Sequence, residues 1–144
     1  MKRLFVLIIL VFCYGCSKKS SPEDQKQWVD GYWEIEKVLF KGEKKEYTIS
    51  STIDFIYLET PTIGYRKKVT PTLNGKFLSN ENQSAIELII RNDSLFIVQK
   101  NKIANWEDYV KKADSLSMIL QNDRGLQYYY KRYEPLNLGN EKTQ

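Results

Sequence analysis

The sequence predicts an all-β protein: an antiparallel up-and-down β-barrel of eight or nine strands. Three observations carry that expectation. From Trp28 the chain breaks into short, β-rich segments, several of which alternate apolar and polar residues with period two, the pattern of strands with one buried face. Turn residues interrupt the alternation at intervals of about ten residues. The connections are short, so consecutive strands pair as a meander, and a meander of this count removes its edges by closing on itself.

The first sixteen residues stand apart from that pattern. Lys2 and Arg3 precede an unbroken apolar run from Leu4 to Phe12, far shorter than the roughly 20 residues of a permanent membrane span. A charged start, a short apolar run and a small residue before a cut site describe a secretory signal peptide over 1–15. Gly15 is that small residue and Cys16 follows it. The arrangement resembles the lipobox of bacterial lipoproteins, in which this cysteine becomes the lipidated mature N-terminus. The resemblance implies a diacylglyceryl anchor on Cys16, and Ser17 after it resembles the outer-membrane sorting pattern. The implied location is the cell envelope, on the periplasmic or the surface side. A rival reading makes Cys13-Tyr14-Gly15-Cys16 a redox or zinc pair. With two cysteines and no histidine in the chain, a zinc ion would lack its other ligands.

The stretch 16–27 reads as a lipidated start and a flexible tether. Residues 17–27 contain no apolar side chain, and Pro22 opposes an easy helix. Fully stretched, such a tether reaches roughly 36–40 Å. The domain is expected over 28–134, with a disordered tail at 135–144. Loss of Lys2 and Arg3 lowers the net charge from +4 to about +2, so nucleic acid is not an expected partner. The runs Lys44-Lys45, Arg66-Lys67-Lys68 and Lys111-Lys112 read as solvated faces or turns.

Strands are expected near 32–40, 46–58, 62–70, 76–80, 84–91, 94–100, 105–112, 115–121 and 126–133. Ile86, Leu88 and Ile90 share one face, with Glu87 and Arg91 opposite; Leu116, Met118 and Leu120 oppose Ser117 and Gln121. Turn chemistry separates the segments at Lys41-Gly42, Asn74-Gly75, Asn92-Asp93, Asp114-Ser115 and 122–125. Asn74-Gly75 is the strongest candidate for a type I′ hairpin turn, because both residues tolerate positive φ. The stretch 105–113 also carries helix signals: Asn105 as a cap, Glu107 and Asp108 in a first turn, and Trp106 and Val110 at helical spacing. A strand is preferred there, because 115–121 looks like the return arm of a hairpin.

Gly31-Tyr32-Trp33 opens the first strand, and Arg132 sits in the last, within Tyr128-Tyr129-Tyr130-Lys131-Arg132-Tyr133. Gly-x-Trp in that place resembles the opening motif of lipocalins, and the whole of 28–134 resembles the lipocalin-like domains of bacterial lipoproteins. The resemblance implies that Trp33 plugs the closed end of the barrel and that Arg132 lies across it. A guanidinium on an indole face is a stabilising pair, and it can also donate to nearby carbonyls. Alternation then places Tyr128 and Tyr130 inside with Arg132, and Tyr129, Lys131 and Tyr133 outside. Lys37 interrupts the inward set Trp33, Ile35 and Leu39, which requires either a bulge after Ile35 or a wet cavity.

Common catalytic constellations are missing from the sequence. With no histidine and no mature thiol, the usual nucleophile–base pairs are excluded. The carboxylates Glu34 and Glu36, and Glu107 and Asp108, read as solvent-facing charge rather than a glycosidase pair. No glycine-rich phosphate loop occurs. The expectation is a protein that is not an enzyme and uses no cofactor or metal. Its aromatic content is high, with ten tyrosines, six phenylalanines and three tryptophans. Phe55, Tyr57, Tyr65, Phe77, Phe96, Trp106, Tyr128 and Tyr130 are the candidates for an inner face. Such rings either line a pocket for a small hydrophobic or amphipathic ligand or fill the barrel of an envelope interaction module.

Overall fold

The computed structural model describes residues 20–46, 50–100 and 105–135. The signal peptide, the lipidation site Cys16 and the tail at 136–144 lie outside the described residues. Among the described residues, nine antiparallel strands form one sheet: β1 (Gly31–Phe40), β2 (Glu43–Glu46), β3 (Ile53–Leu58), β4 (Ile63–Pro71), β5 (Phe77–Arg91), β6 (Ser94–Lys100), β7 (Asn105–Ala113), β8 (Ser117–Asn122) and β9 (Gln127–Arg132). β3 to β9 follow one another in the sheet, and β1 pairs with both β3 and β9, closing an eight-stranded up-and-down barrel. β2 is a ninth, short strand that lengthens one edge: Gly31–Trp33 pair with β3, and Lys37–Phe40 pair with β2.

Several boundaries differ from the sequence expectation. Of the expected strand 46–58, Ile53–Leu58 form β3, since Ser50 to Thr52 offer no apolar side chain to hold to the core, and β2 lies earlier, at Glu43–Glu46. The expected strands 76–80 and 84–91 are one, β5. No glycine or proline interrupts 79–84, and a register shift opposite Lys67–Val69 absorbs the irregularity. The stretch 105–113 is strand, bonded to β6 on one side and β8 on the other. Leu116 is 68% exposed in the turn before β8 and does not share the buried face of Met118 and Leu120.

The hairpin turns also redistribute. Both residues have positive φ at Asn92-Asp93 and at Lys41-Gly42, as a type I′ turn requires. At Asn74-Gly75 only the glycine does, and the Thr72 N–H donates to the Lys76 carbonyl across a three-residue loop, Leu73-Asn74-Gly75.

Instead of a tether throughout, Pro22–Lys26 form a one-turn helix, α1. Pro22 stands in the first turn, where its missing N–H removes no bond. Ser21 caps the helix in a reciprocal capping box with Asp24. Gln25 is buried, and α1 packs on β5, β6 and β7.

The core fills the end of the barrel where β1 begins. Trp33 and Val29 lie at its base, with Ile56, Leu88, Ile97, Met118 and Leu120 above them. The Trp33 indole N–H donates to the Val29 carbonyl at 2.8 Å. The Arg132 guanidinium lies 3.8 Å from the indole ring and donates to the carbonyls of Asp30 (2.6 Å), Trp28 (3.0 Å) and Ser115 (3.2 Å). First strand, last strand and the β7–β8 turn are thereby tied at one cation. Arg132→Ala is expected to lower stability by about 1–3 kcal/mol, as loss of a stacked and hydrogen-bonded cation should, measured by urea denaturation.

Gly31 explains its own place in the motif. Its φ is +121°, and a Cβ there would stand 2.3 Å from Arg132 Nη1. Gly31→Ala should therefore destabilise by about 1–3 kcal/mol and displace the guanidinium. The near-ultraviolet circular dichroism of Trp33 reports that displacement. An unchanged spectrum and an unchanged denaturation midpoint would contradict the close approach.

A bulge between Ile35 and Lys37 resolves the lysine at the third inward position. Beyond the bulge Lys37 points outward, its Nζ 4.6 Å over the Tyr129 ring, while Val38 stands opposite Tyr128. Leu39 thereby leaves the inward set.

Candidate functional site in the mouth of the barrel

The strand ends opposite Trp33 surround a cavity of about 720 Å³. Its walls come from the inward positions of the strands: Ile35 of β1, Asp54 of β3, Arg66 and Lys68 of β4, Asn82 and Ser84 of β5, Gln99 of β6, Trp106 and Asp108 of β7, and Tyr128 and Tyr130 of β9. Asn122, Asp123 and Arg124 stand at the rim. The barrel is thus filled at one end and hollow at the other. Polar residues outnumber apolar ones around the hollow half, with Ile35, Trp106, Tyr128 and Tyr130 supplying apolar surface.

An ionic cluster forms the floor. Arg66 Nε donates to Asp54 Oδ1 at 3.1 Å, and its Nη2 donates to the Tyr130 hydroxyl at 2.8 Å. Lys68 Nζ donates to the other Asp54 oxygen at 2.7 Å. The Arg66 Nη1 reaches Asp108 Oδ2 only at 3.5 Å. The two carboxylates respond in opposite ways. Burial works to raise the Asp54 pKa, but Arg66 and Lys68 override it and hold the carboxyl below the ordinary 3.8. For Asp108 burial prevails over Arg66, with Asp123 and Asp54 adding to it, and the pKa lies above 3.8.

Opposite pH dependences follow from those shifts. Asp54 contributes stability that is fully present above its ordinary pKa and is lost as the pH falls below 3.8. Asp108 carries a cost that is fully present at neutral pH and is relieved as the pH falls toward 3.8. Asp108→Asn is therefore expected to raise the melting temperature at pH 7 and to match the wild type at pH 3. Asp54→Asn should lower it at pH 7. Thermal melts of both variants at the two pH values check the signs.

The structure separates the eight aromatic candidates into two groups. Trp106, Tyr128 and Tyr130 line the cavity, Tyr130 at its floor and Trp106 49% exposed at its mouth. Phe55, Tyr57, Tyr65, Phe77 and Phe96 do not. Asp54 and Ile56 occupy the inward positions of β3, so Phe55 and Tyr57 between and beyond them point out. Tyr65 pairs with Tyr57 and shares its side. Phe55 and Phe77 each stack on Tyr32 with centroids 4.4 Å apart, an outer aromatic cluster to which the Phe77 arm of β5 reaches across β3. Phe96, outward between Leu95 and Ile97, lies against Tyr109, with Arg91 over its ring.

Two charge assignments also change. Glu107 does face outward, paired with Arg91, but Asp108 is inside with its side chain only 12% exposed. In the run Arg66-Lys67-Lys68, Lys67 lies over the outer Phe55 and Tyr65 rings, whereas Arg66 and Lys68 turn inward to Asp54. A usable signal existed in β7: Trp106, Asp108 and Val110 share one parity, and Val110 is core. β3 offered none, because Ile53 to Leu58 is apolar on both parities except at Asp54.

No family model matches the sequence, and no curated protein matches it. Among solved structures, the chain is similar to an uncharacterized protein from Bacteroides eggerthii, with 10% identity, a TM-score of 0.47 and coverage of 74% of this chain and 99% of that one. It is also similar to a lipocalin-like protein from Bacteroides uniformis, with 9% identity, a TM-score of 0.46 and coverage of 72% and 97%. A de novo designed fluorescence-activating β-barrel matches with 14% identity, a TM-score of 0.45 and coverage of 76% and 98%.

Proposed function

We propose that this protein is a non-catalytic envelope lipoprotein that binds a small amphipathic molecule in the mouth of its barrel. The cavity carries the reading. At about 720 Å³ it lies within the roughly 300–1,000 Å³ of small-molecule sites. A barrel built only as a filled interaction module would have no use for that space, nor for an ionic cluster at its floor. The polar lining favours an amphipathic guest over a purely hydrophobic one.

Native mass spectrometry of the purified protein is the test, with Ser84→Trp as the control that fills the cavity. A bound small molecule present in the wild type and absent from Ser84→Trp is expected. Identical spectra of bare protein, with no binding from a panel of amphipathic compounds, would end the reading.

The anchor is the second half of the proposal. Acyl chains at roughly 0.8 kcal/mol per buried CH₂ make two or more a stable hold. Cys16→Ser is expected to move the protein from the membrane to the soluble fraction. Sedimentation of the serine variant with membranes after a salt wash would contradict it. The helix α1 gives such an anchor a consequence. Its cap Ser21 is five residues from Cys16, so the spacer spans at most about 18 Å, at about 3.3–3.6 Å per residue. Because α1 packs at the filled end, the mouth would open away from the lipid.

A further inference from the structure

Resting on the cavity reading above, we infer that the ligand carries a cationic head group, an ammonium by preference, which seats against the Asp108 carboxylate between Arg66 and the rim. The hydrogen-bonding inventory of the floor points there. Arg66 commits Nε to Asp54 and Nη2 to Tyr130, and Lys68 commits its ammonium to Asp54. The cations of the floor are therefore already held, and an incoming anion would have to displace one of their partners. Asp108 is the group left short. Among the described residues its ion contact is Arg66 Nη1 at 3.5 Å, on a guanidinium whose Nε is already bound to Asp54. A carboxylate this buried gains most from a charge-assisted donor.

The groups around Asp108 favour the same occupant. Burial raises its affinity for a proton, and Asp123 and Asp54 add to that, against the opposing pull of Arg66. A ligand ammonium placed where the proton would sit answers the same field. Trp106 stands two residues before Asp108 on the same strand face, so its indole borders the path from the mouth to the carboxylate. Ile35 and Tyr128 supply the rest of a surface for the apolar part of the guest. An indole face also attracts a cation on its way in.

Isothermal titration calorimetry on the full chain tests this with three matched probes: 2-phenylethylammonium, 2-phenylethanol and 3-phenylpropanoate. The ammonium is expected to bind at least tenfold more tightly than the other two. Asp108→Asn should remove that advantage, and Asp108→Glu should restore most of it. If Asp108→Asn fails to fold, the wild-type ranking and the glutamate variant still decide. Tightest binding by the propanoate would overturn the inference in favour of an anion site on Arg66 and Lys68. Equal binding of ammonium and alcohol would overturn it while leaving the cavity reading standing. Silence from all three probes would overturn the inference, and native mass spectrometry of the purified protein then decides the cavity reading separately.

Discussion

Arg66→Ala should unfold the protein more readily by about 3–5 kcal/mol, the effect of stranding a buried carboxylate. The Asp54 side chain is 3% exposed and depends on Arg66 for one of its two oxygens. Lys68, half in solvent, can hold only the other. Removing the guanidinium also leaves Asp108 without its ion contact and Tyr130 without a donor to its hydroxyl. Truncation and replacement of the pair should differ. Arg66→Leu combined with Asp54→Leu removes both charges of the Arg66–Asp54 pair, leaving Asp108 and the half-exposed Lys68 to lose their contacts. Since apolar substitutes for a buried pair are often neutral or stabilising, the double variant should cost less than the single. Urea denaturation of the single and double variants separates the cases. A single variant within about 1 kcal/mol of the wild type would mean that the floor is wet and screened.

Trp33→Ala should cost a similar amount, about 3–5 kcal/mol, the usual range for deleting a large buried ring. Trp33 is 0% exposed, and its loss opens a hole at the base of the core beside Val29. It also frees the Val29 carbonyl and removes the surface on which Arg132 lies. Since the two side chains touch, their effects should not add. In a double-mutant cycle, Trp33→Ala with Arg132→Ala is expected to fall short of the sum of the singles by about 0.5–1.5 kcal/mol. Full additivity would show that Arg132 acts through its three carbonyl bonds alone.

How much of this was legible in the sequence depends on the range of the signal. In β9, Tyr128, Tyr130 and Arg132 share one parity with the core, and a lysine on the other parity settles which side is inside. Ile86 and Leu88 against Glu87 work in the same way. β3 and β4 lack that contrast. Ile53 and Val69 are buried although they lie on the parity opposite Asp54 and Lys68, and the aromatic rings of this region face outward. Apolar residues on both parities leave the inward face open until neighbouring strands are in place, and for that reason Phe55, Tyr57 and Tyr65 lie on the face opposite the one expected.

By itself the sequence determined the strand periodicity and the meander order that follows from short connections, while the meeting of Trp33 with Arg132 came from the resemblance of Gly31-Tyr32-Trp33 to the lipocalin motif. The first two rest on alternation and turn chemistry, which act over a few residues. Tertiary structure alone decided the bulge at Ile35–Lys37, the docking of α1 and the cluster of Asp54, Arg66, Asp108 and Tyr130. Those four come from β3, β4, β7 and β9. Polar side chains on four strands become one site only when closure brings their inward positions to a common depth and removes the water that would otherwise keep them apart.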